Sequence, residues 1–371
     1  MAIKSKDTYG HEILTYDSII NKWGSIPDID TADTTEGGQV IWPVKAATQL
    51  YKFIDTPIPL TIRSTDAEDV PAVGTLNLTG QPADTETLTI GTKVYTFQTA
   101  LTDVDGNILI GASASATIDN LIAGINLTAG AGTAYASSMT TNDAGVYAAV
   151  GAGDTMTLYV NTATAIATTT AAANQSWGGA VAVLGTGAHS VMIEYHDFNG
   201  YARSFDSPLR GVDTVPISSK NSYGVFRIEV LTSGTGNVNA GQLKVMNSTD
   251  IYATVEIGES QTQIACQRVP NDHTGKVTFR ETKYGRLSPS TNAATMRFRI
   301  RRVDGTLITK ADPFISNITP KDTRKYDNGG IDVGAGEWVY WECILVSADN
   351  TPVNAEFDLE LTRIPDYEQG Q

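Results

Sequence analysis

The stretch Met296-Arg297-Phe298-Arg299-Ile300-Arg301 alternates apolar with basic side chains, position by position. Successive side chains of a β-strand point to opposite faces of the sheet, so a strict period of two predicts a strand with one buried and one polar face. Asp304-Gly305 follows as a hairpin turn signal. Further on, Phe357, Leu359 and Leu361 alternate with Asp358, Glu360 and Thr362 in the same way. Between these runs, Trp338 to Val346 is apolar on both faces, which predicts a central strand covered on both sides.

The pattern extends upstream. Val277 and Phe279 form one face of a strand, and Phe226, Ile228 and Val230 alternate with Arg227, Glu229 and Leu231. Leu243-Lys244-Val245 and Val255-Glu256-Ile257 follow that run. Val191, Ile193 and Tyr195 alternate with Met192, Glu194 and His196 before the turn Asn199-Gly200. Tyr51-Lys52-Phe53-Ile54 and Ile58 to Ile62 read as short strands. Short strands at regular spacing with turns between them predict a mainly β fold with two β-sandwiches in series.

Residues 74–187 interrupt this plan. Thr, Ala and Gly dominate there, and Lys93 stands as the sole basic residue against Asp84, Glu86, Asp103, Asp105, Asp119, Asp143 and Asp154. Leu88 and Ile90, then Tyr95 and Phe97, alternate with polar residues on either side of Gly91-Thr92, as in a hairpin. Ile118, Leu121, Ile122 and Ile125 fall on one helical stripe, with Ser113 or Ser115 to cap its start and Gly130 and Gly132 beyond its end. Met156 to Val160 returns to strand. The expected organisation is therefore an extended N-terminal arm over 1–44, a first sandwich over 45–73 plus 188–248, an inserted small α+β module over 74–187, and a second sandwich over 249–371. The arm carries an apolar cluster at Ile13, Leu14, Ile19, Ile20 and Trp23, then a turn-rich acidic stretch from Asp28 to Gly38, and must pack on the body or on a neighbouring subunit.

The chain has 371 residues and a formal net charge of -15, with 18% charged residues. That acidity opposes binding to phosphate backbones or anionic membranes, so neither nucleic acid nor membrane is an expected partner. Met1 to Asp7 lacks a hydrophobic signal core, and no apolar run reaches the roughly 20 residues that span a bilayer. Cys266 and Cys343 each sit in an apolar run, as two small buried hydrophobes or as one disulfide.

Few residues suggest chemistry. His11, His189, His196 and His273 lie at no metal-binding or triad-like spacing. His196 beside Glu194 and Asp197 is weighed as a metal site against a strand-end histidine near a hairpin. Asp103-Val104-Asp105-Gly106-Asn107 lacks the sixth-position glycine and twelfth-position Glu of a calcium loop, and reads as a turn. Gly130 to Thr133 and Ser233 to Gly236 lack the Lys of a phosphate loop. The ladder Arg297, Arg299, Arg301 and Arg302, with Arg268 and Arg280, has three readings. It is a ligand patch for glycan or nucleic acid, a solvated face paired with Asp and Glu across strands, or a dock for the acidic surface of a neighbouring subunit or capsid protein. No catalytic, cofactor-binding or metal-ligating residue is assigned, and no enzyme activity or cofactor is expected.

Several stretches resemble a widespread family of tailed-bacteriophage virion structural proteins. They are Asn21 to Asp30 followed by Ile41-Trp42, then Ile62 to Val70, Gly185 to Val191, Asp197 to Tyr201, Leu209-Arg210-Gly211 and Asn239-Ala240-Gly241. In the family the second stretch runs directly into the third, so 74–187 looks like an insertion into a loop of the first sandwich. Within it, Leu88 to Phe97 and Ala116 to Leu121 look like a small module found inserted in many phage surface proteins. The resemblance implies a structural subunit of the virion, assembled in the host cytoplasm. It would be a capsid decoration, head fibre, or neck or tail accessory, attached by its arm and partnered by copies of itself (a trimer is the candidate) and by other virion proteins. The alternative is a host-adhesion or glycan-binding protein, with Trp177 and Tyr159 as the aromatic candidates.

Overall fold

A computed structural model describes residues 53–364 apart from short internal stretches, the longest of which is 285–292, and, N-terminal to these, the strands Ile3–Lys6, Glu12–Thr15, Ile20–Ile29 and Gln39–Val40. The fold is mainly β, as the alternation predicts, with several sheets and, among the described residues, a single helix. Tyr51, Lys52, His11, Ile41, Trp42 and most of Asp28–Gly38 lie outside the described residues.

Two sheets form the first body. One runs in the order Ile3–Lys6, Glu12–Thr15, Ala202–Pro208, Ala188–Asp197, Ser222–Ser233, Gln261–Gln263; the other in the order Val215–Pro216, Thr61–Ser64, Leu243–Asn247, Asp250–Val255. Val191, Ile193, Tyr195 and Ile228 from the first sheet meet Ile62, Leu243, Val245 and Val255 from the second in one buried cluster. The expected break at 248/249 is corrected. It falls in the turn of the hairpin Leu243–Asn247/Asp250–Val255, where Asn247 pairs directly with Asp250.

The second body also has two sheets. The first is ordered Cys266–Arg268, Trp338–Val346, Ala293–Arg301, Leu307–Ala311, with Phe314–Ser316 also on Ala293–Arg301 and Gln39–Val40 on Trp338–Val346. The second is ordered Lys321–Lys325, His273–Tyr284, Thr351–Arg363, Ile20–Ile29. The predicted face Met296, Phe298 and Ile300 is buried together with Val277, Phe357 and Leu359 of the opposing sheet. Of the two placements expected for residues 1–44, the described strands take the first and pack on the body. These four strands add to sheets of both bodies, because an open sheet edge offers the unpaired backbone groups that an isolated segment needs.

Trp338–Val346 joins the bodies. Trp338, Val339, Tyr340 and Trp341 are all buried, but alternate residues serve different cores. Trp338 and Tyr340 belong to the first cluster, where Phe53 packs on both rings at 5.4 and 4.8 Å between centroids. Val339, Trp341 and Cys343 belong to the second, with Trp341 4.9 Å from the Phe298 ring. Cys266 and Cys343 form no disulfide; both are buried, one in each core.

The inserted segment has its own core and two sheets rather than one. The first comprises Val146–Val150, Thr155–Val160, Ala72–Leu78, Gln175–Trp177 and Val183–Leu184; the second comprises Thr168–Thr170, Thr87–Ile90, Lys93–Gln98 and Asn107–Leu109. The helix Ala114–Asn126 starts where the Ser113 hydroxyl accepts the Ala116 N–H, and it buries Ile118, Leu121 and Ile125 against Leu76, Leu158 and Tyr95. Ala72 pairs with Leu184 and Val73 with Val183, so the insertion leaves and returns side by side.

Because one strand closes both cores, damage on either of its faces should weaken the whole body. We expect Trp338→Ala and Trp341→Ala each to cost about 3–5 kcal/mol and to lower one common urea midpoint, read by fluorescence and by far-UV circular dichroism. Two separated transitions of the paired bodies, one lowered by Trp338→Ala alone and the other by Trp341→Ala alone, would contradict the shared strand.

Candidate functional site

The most elaborate polar site lies where the insertion joins the first body. Asp69 is fully buried at the end of Ile62–Val70. Its carboxylate accepts the Ser64 hydroxyl at 2.5 Å and the N–H groups of Ala188, Ala240 and Gly241 at 2.6, 2.8 and 2.8 Å. Its carbonyl accepts the Gly211 N–H at 2.8 Å. A buried carboxylate whose oxygens accept from several donors is held in place, and each donor is itself spared an unpaired buried state. The site tolerates no side chain at two glycines: a Cβ on Gly187 would lie 2.2 Å from Asp69 Oδ1, and one on Gly241 would lie 2.5 Å from the Asp66 nitrogen. Asn239 extends the knot, donating from Nδ2 to the carbonyls of Gly241 and Glu256 and accepting the Ser260 N–H at its Oδ1.

The insertion is also fastened along its flank. Tyr159 donates its hydroxyl to Asp213 at 2.8 Å, and the Arg210 guanidinium lies 3.3 Å over the Tyr147 ring, which stacks beside Tyr159. Burial pushes the Tyr159 phenol well above its ordinary range, and the Asp213 hydrogen bond and charge push it further. Tyr159, weighed as a glycan-binding aromatic, is therefore a contact between module and body. Trp177 is half-buried against the module core.

The loop Asp103 to Asn107 is a turn, with Gly106 at φ +91°. Its carboxylates hold a second loop. Asp103 accepts the Ser138 N–H at 2.7 Å, and Asp105 accepts the Thr140 N–H at 2.9 Å, the Thr140 hydroxyl at 2.8 Å and the Lys93 ammonium at 2.8 Å. Burial works against ionisation of Asp105, but the hydrogen bonds from Lys93 and Thr140 outweigh it and hold its pKa at about 2.

His196 does not assemble with Glu194 and Asp197. Its ring is buried between Phe226 and Trp338, and its Nε2 accepts the Arg268 N–H at 3.4 Å. The Asp197 carboxylate closes its own hairpin, accepting the N–H groups of Asn199 and Tyr201, and pairs with Arg203 at 2.7 Å. His189 bonds the Gly185 carbonyl at 2.9 Å. Among the described residues no group of His, Cys, Asp and Glu side chains is placed to hold a metal. The arginine ladder is paired rather than free: Arg299 meets Glu342 at 2.6 Å, Arg301 meets Asp55, and Arg280 meets Asp322 at 2.7 Å. Arg268 lies 3.7 Å over the Tyr223 ring.

One cluster escaped sequence reasoning. Asp272 bonds His273 Nδ1 at 2.7 Å and accepts the Tyr201 hydroxyl, with Arg363 4.0 Å away. Burial opposes ionisation of Asp272, yet the hydrogen bonds from Tyr201 and His273 hold it below the usual carboxylate range. Tyr201 comes from the Asn199-Gly200 hairpin of the first body, so this cluster seats that hairpin on the second, where the Asn271 N–H also donates to the Asn199 carbonyl at 3.1 Å. The adjacency of Asp272 and His273 was the available signal; the tyrosine partner was not.

No family model matches this chain, and no curated protein matches it. Among solved structures, a structure of the Gt strain of infectious bursal disease virus is 11% identical over 99% of this chain and 83% of that one, with a TM-score of 0.09. A structure of T=1 particles derived from infectious bursal virus is 10% identical over 94% of this chain and 79% of that one, also at 0.09. At such scores neither similarity bears on fold or function.

Asp69→Ala leaves backbone donors buried without an acceptor, at about 1–3 kcal/mol each. We expect a loss of at least about 3 kcal/mol in chemical denaturation, with new protease cleavage near 184–188, and a smaller loss for Asp69→Asn. For Asp105 the folded pKa lies below the ordinary value of about 3.9. Its contribution to the loop is therefore complete above that value and is lost as pH falls toward about 2. Hydrogen exchange of Ser138 and Thr140 should accelerate over that window relative to neighbouring loops, and Asp105→Asn should remove the pH dependence.

Proposed function

We propose that this chain is a structural subunit of a tailed-phage virion, a decoration or fibre component that acts through assembly. The observation that carries the reading is the convergence on Asp69. Ile62–Val70, Gly185–Val191, Leu209–Gly211 and Asn239–Gly241, which carry the resemblance by their order along the chain, meet around one buried aspartate, the third at its backbone carbonyl and the others at its carboxylate. They are one physical unit, and the insertion enters and leaves through it.

The rest of the architecture fits a presenting scaffold. The two sheet pairs are coupled through Trp338–Val346, and a module with a separate core is clamped at its base and stapled on its flank by Arg210 and Asp213. The ionisable groups weighed as chemistry are occupied in holding loops and strands together. Since the strands of residues 1–44 pair within the chain, this reading assigns attachment to exposed surfaces of the folded body. The glycan-binding alternative loses Tyr159, which faces Asp213.

Mass spectrometry of density-purified particles from the phage that encodes the chain tests this directly. We expect the intact chain in multiple copies per particle. Its absence from purified particles, alongside its presence in the infected-cell lysate, would falsify the virion assignment.

A further inference from the structure

The molecule is strongly acidic overall, yet its second body carries a basic rim. Leu307–Ala311 is the edge of one sheet and Lys321–Lys325 is the edge of the other. Phe314–Ser316, which follows the first edge strand along Ala293–Arg301, packs beside Lys321–Lys325, so the two edges form one rim. Lys310, Lys321, Arg324 and Lys325 are all exposed on it. Lys321 has a carboxylate, Glu281, at 3.9 Å, while Lys310, Arg324 and Lys325 have no ion-pair partner among the described residues. This rim is distinct from the arginine ladder one strand further in, whose Arg299 and Arg301 are taken by Glu342 and Asp55.

The inserted module has the opposite charge. Its sole basic residue, Lys93, is already bound to Asp105 at 2.8 Å. Asp119 on the helix, Asp143 and Asp154 are exposed and have no ion-pair or side-chain hydrogen-bond partner among the described residues. Among those residues, no ion pair joins module to rim within the chain.

We propose that the basic rim of Lys310, Lys321, Arg324 and Lys325 docks the acidic inserted module of a second copy of this chain. This deepens the assembly reading and rests on it. Complementary potentials fix the register of such a contact and speed its formation, and they are screened beyond about 8 Å at physiological salt. A lysine-rich edge strand also discourages backbone pairing with another chain, so the contact is made by side chains. Rim and module are different surfaces, so the contact closes as a two-fold dimer where two copies engage each other reciprocally and otherwise builds rings or filaments.

Sedimentation velocity of the full chain, at ionic strengths on the order of 0.05 and 0.5 M, tests this with two charge-reversed variants. One is Lys310→Glu/Arg324→Glu/Lys325→Glu; the other is Asp119→Lys/Asp143→Lys/Asp154→Lys. The unaltered chain should associate at low salt and dissociate at high salt. Each variant alone, folded by circular dichroism, should associate at least tenfold more weakly, and an equimolar mixture of the two should regain association. A chain that stays monomeric at low salt, variants that associate like the unaltered chain, or a mixture that stays apart would each overturn the proposal. Binding of a short DNA duplex to the rim without self-association would assign the rim to a polyanion instead. A chain found in particles yet monomeric in solution sinks this contact and leaves the virion reading standing; a chain missing from particles that self-associates does the reverse.

Discussion

The two β bodies are arranged around one strand whose first six residues, Trp338 to Cys343, are buried on both faces. A strand with one wet face needs one core, whereas Trp338–Val346 presents Trp338 and Tyr340 to one cluster and Val339, Trp341 and Cys343 to another. Fully burying a large apolar side chain contributes about 1.5–3 kcal/mol, and here several such chains are buried on each face of the same backbone. The two bodies are therefore not beads on a linker. Their junction is reinforced by the Asn199-Gly200 hairpin seated on Asp272 and His273, and by His196 wedged between Phe226 and Trp338.

Polar chemistry in this protein is chiefly the chemistry of fastening. Asp69, Asp105 and Asp272 each gather donors from segments distant in sequence, and Asp197 closes its own hairpin. A buried carboxylate is costly unless its oxygens are occupied, so Asp69 and Asp272, which are buried, each tie distant segments together. The Asp69 knot is the most consequential, because a segment with a core of its own stays joined to the body at one place only if its two ends are held together. The pairing of Ala72 with Leu184 meets that condition, and the knot lies immediately behind it.

Period-two alternation made the strands legible, including Met296–Arg301 and the two-sided Trp338–Val346, and helical spacing located Ala114–Asn126. Those signals are local, set by which way each side chain points. The pairing of strands is not local. The sequence therefore placed a break at 248/249 inside a hairpin, kept residues 1–44 as an arm, and left the partners of Arg299 and Arg301 open. Nothing in the composition distinguished Asp69 from its acidic neighbours Asp66 and Glu68; its role follows from the arrival of 188, 240 and 241 around it. Tyr159 stood as a glycan-binding candidate against a core or subunit-contact aromatic, and nothing local pointed to its partner Asp213, which belongs to a distant loop.

The central claim is that one doubly buried strand makes the two β bodies a single cooperative unit while the insertion keeps its own core. Native-state hydrogen exchange of the intact chain in low denaturant tests it most directly. The account predicts that amides of Trp338–Val346, Ala188–Asp197 and His273–Tyr284 open together at the global limit, with Lys93–Gln98 and Thr155–Val160 following a separate isotherm. It would be contradicted if Ala188–Asp197 opened well below that limit while Trp338–Val346 and His273–Tyr284 stayed closed.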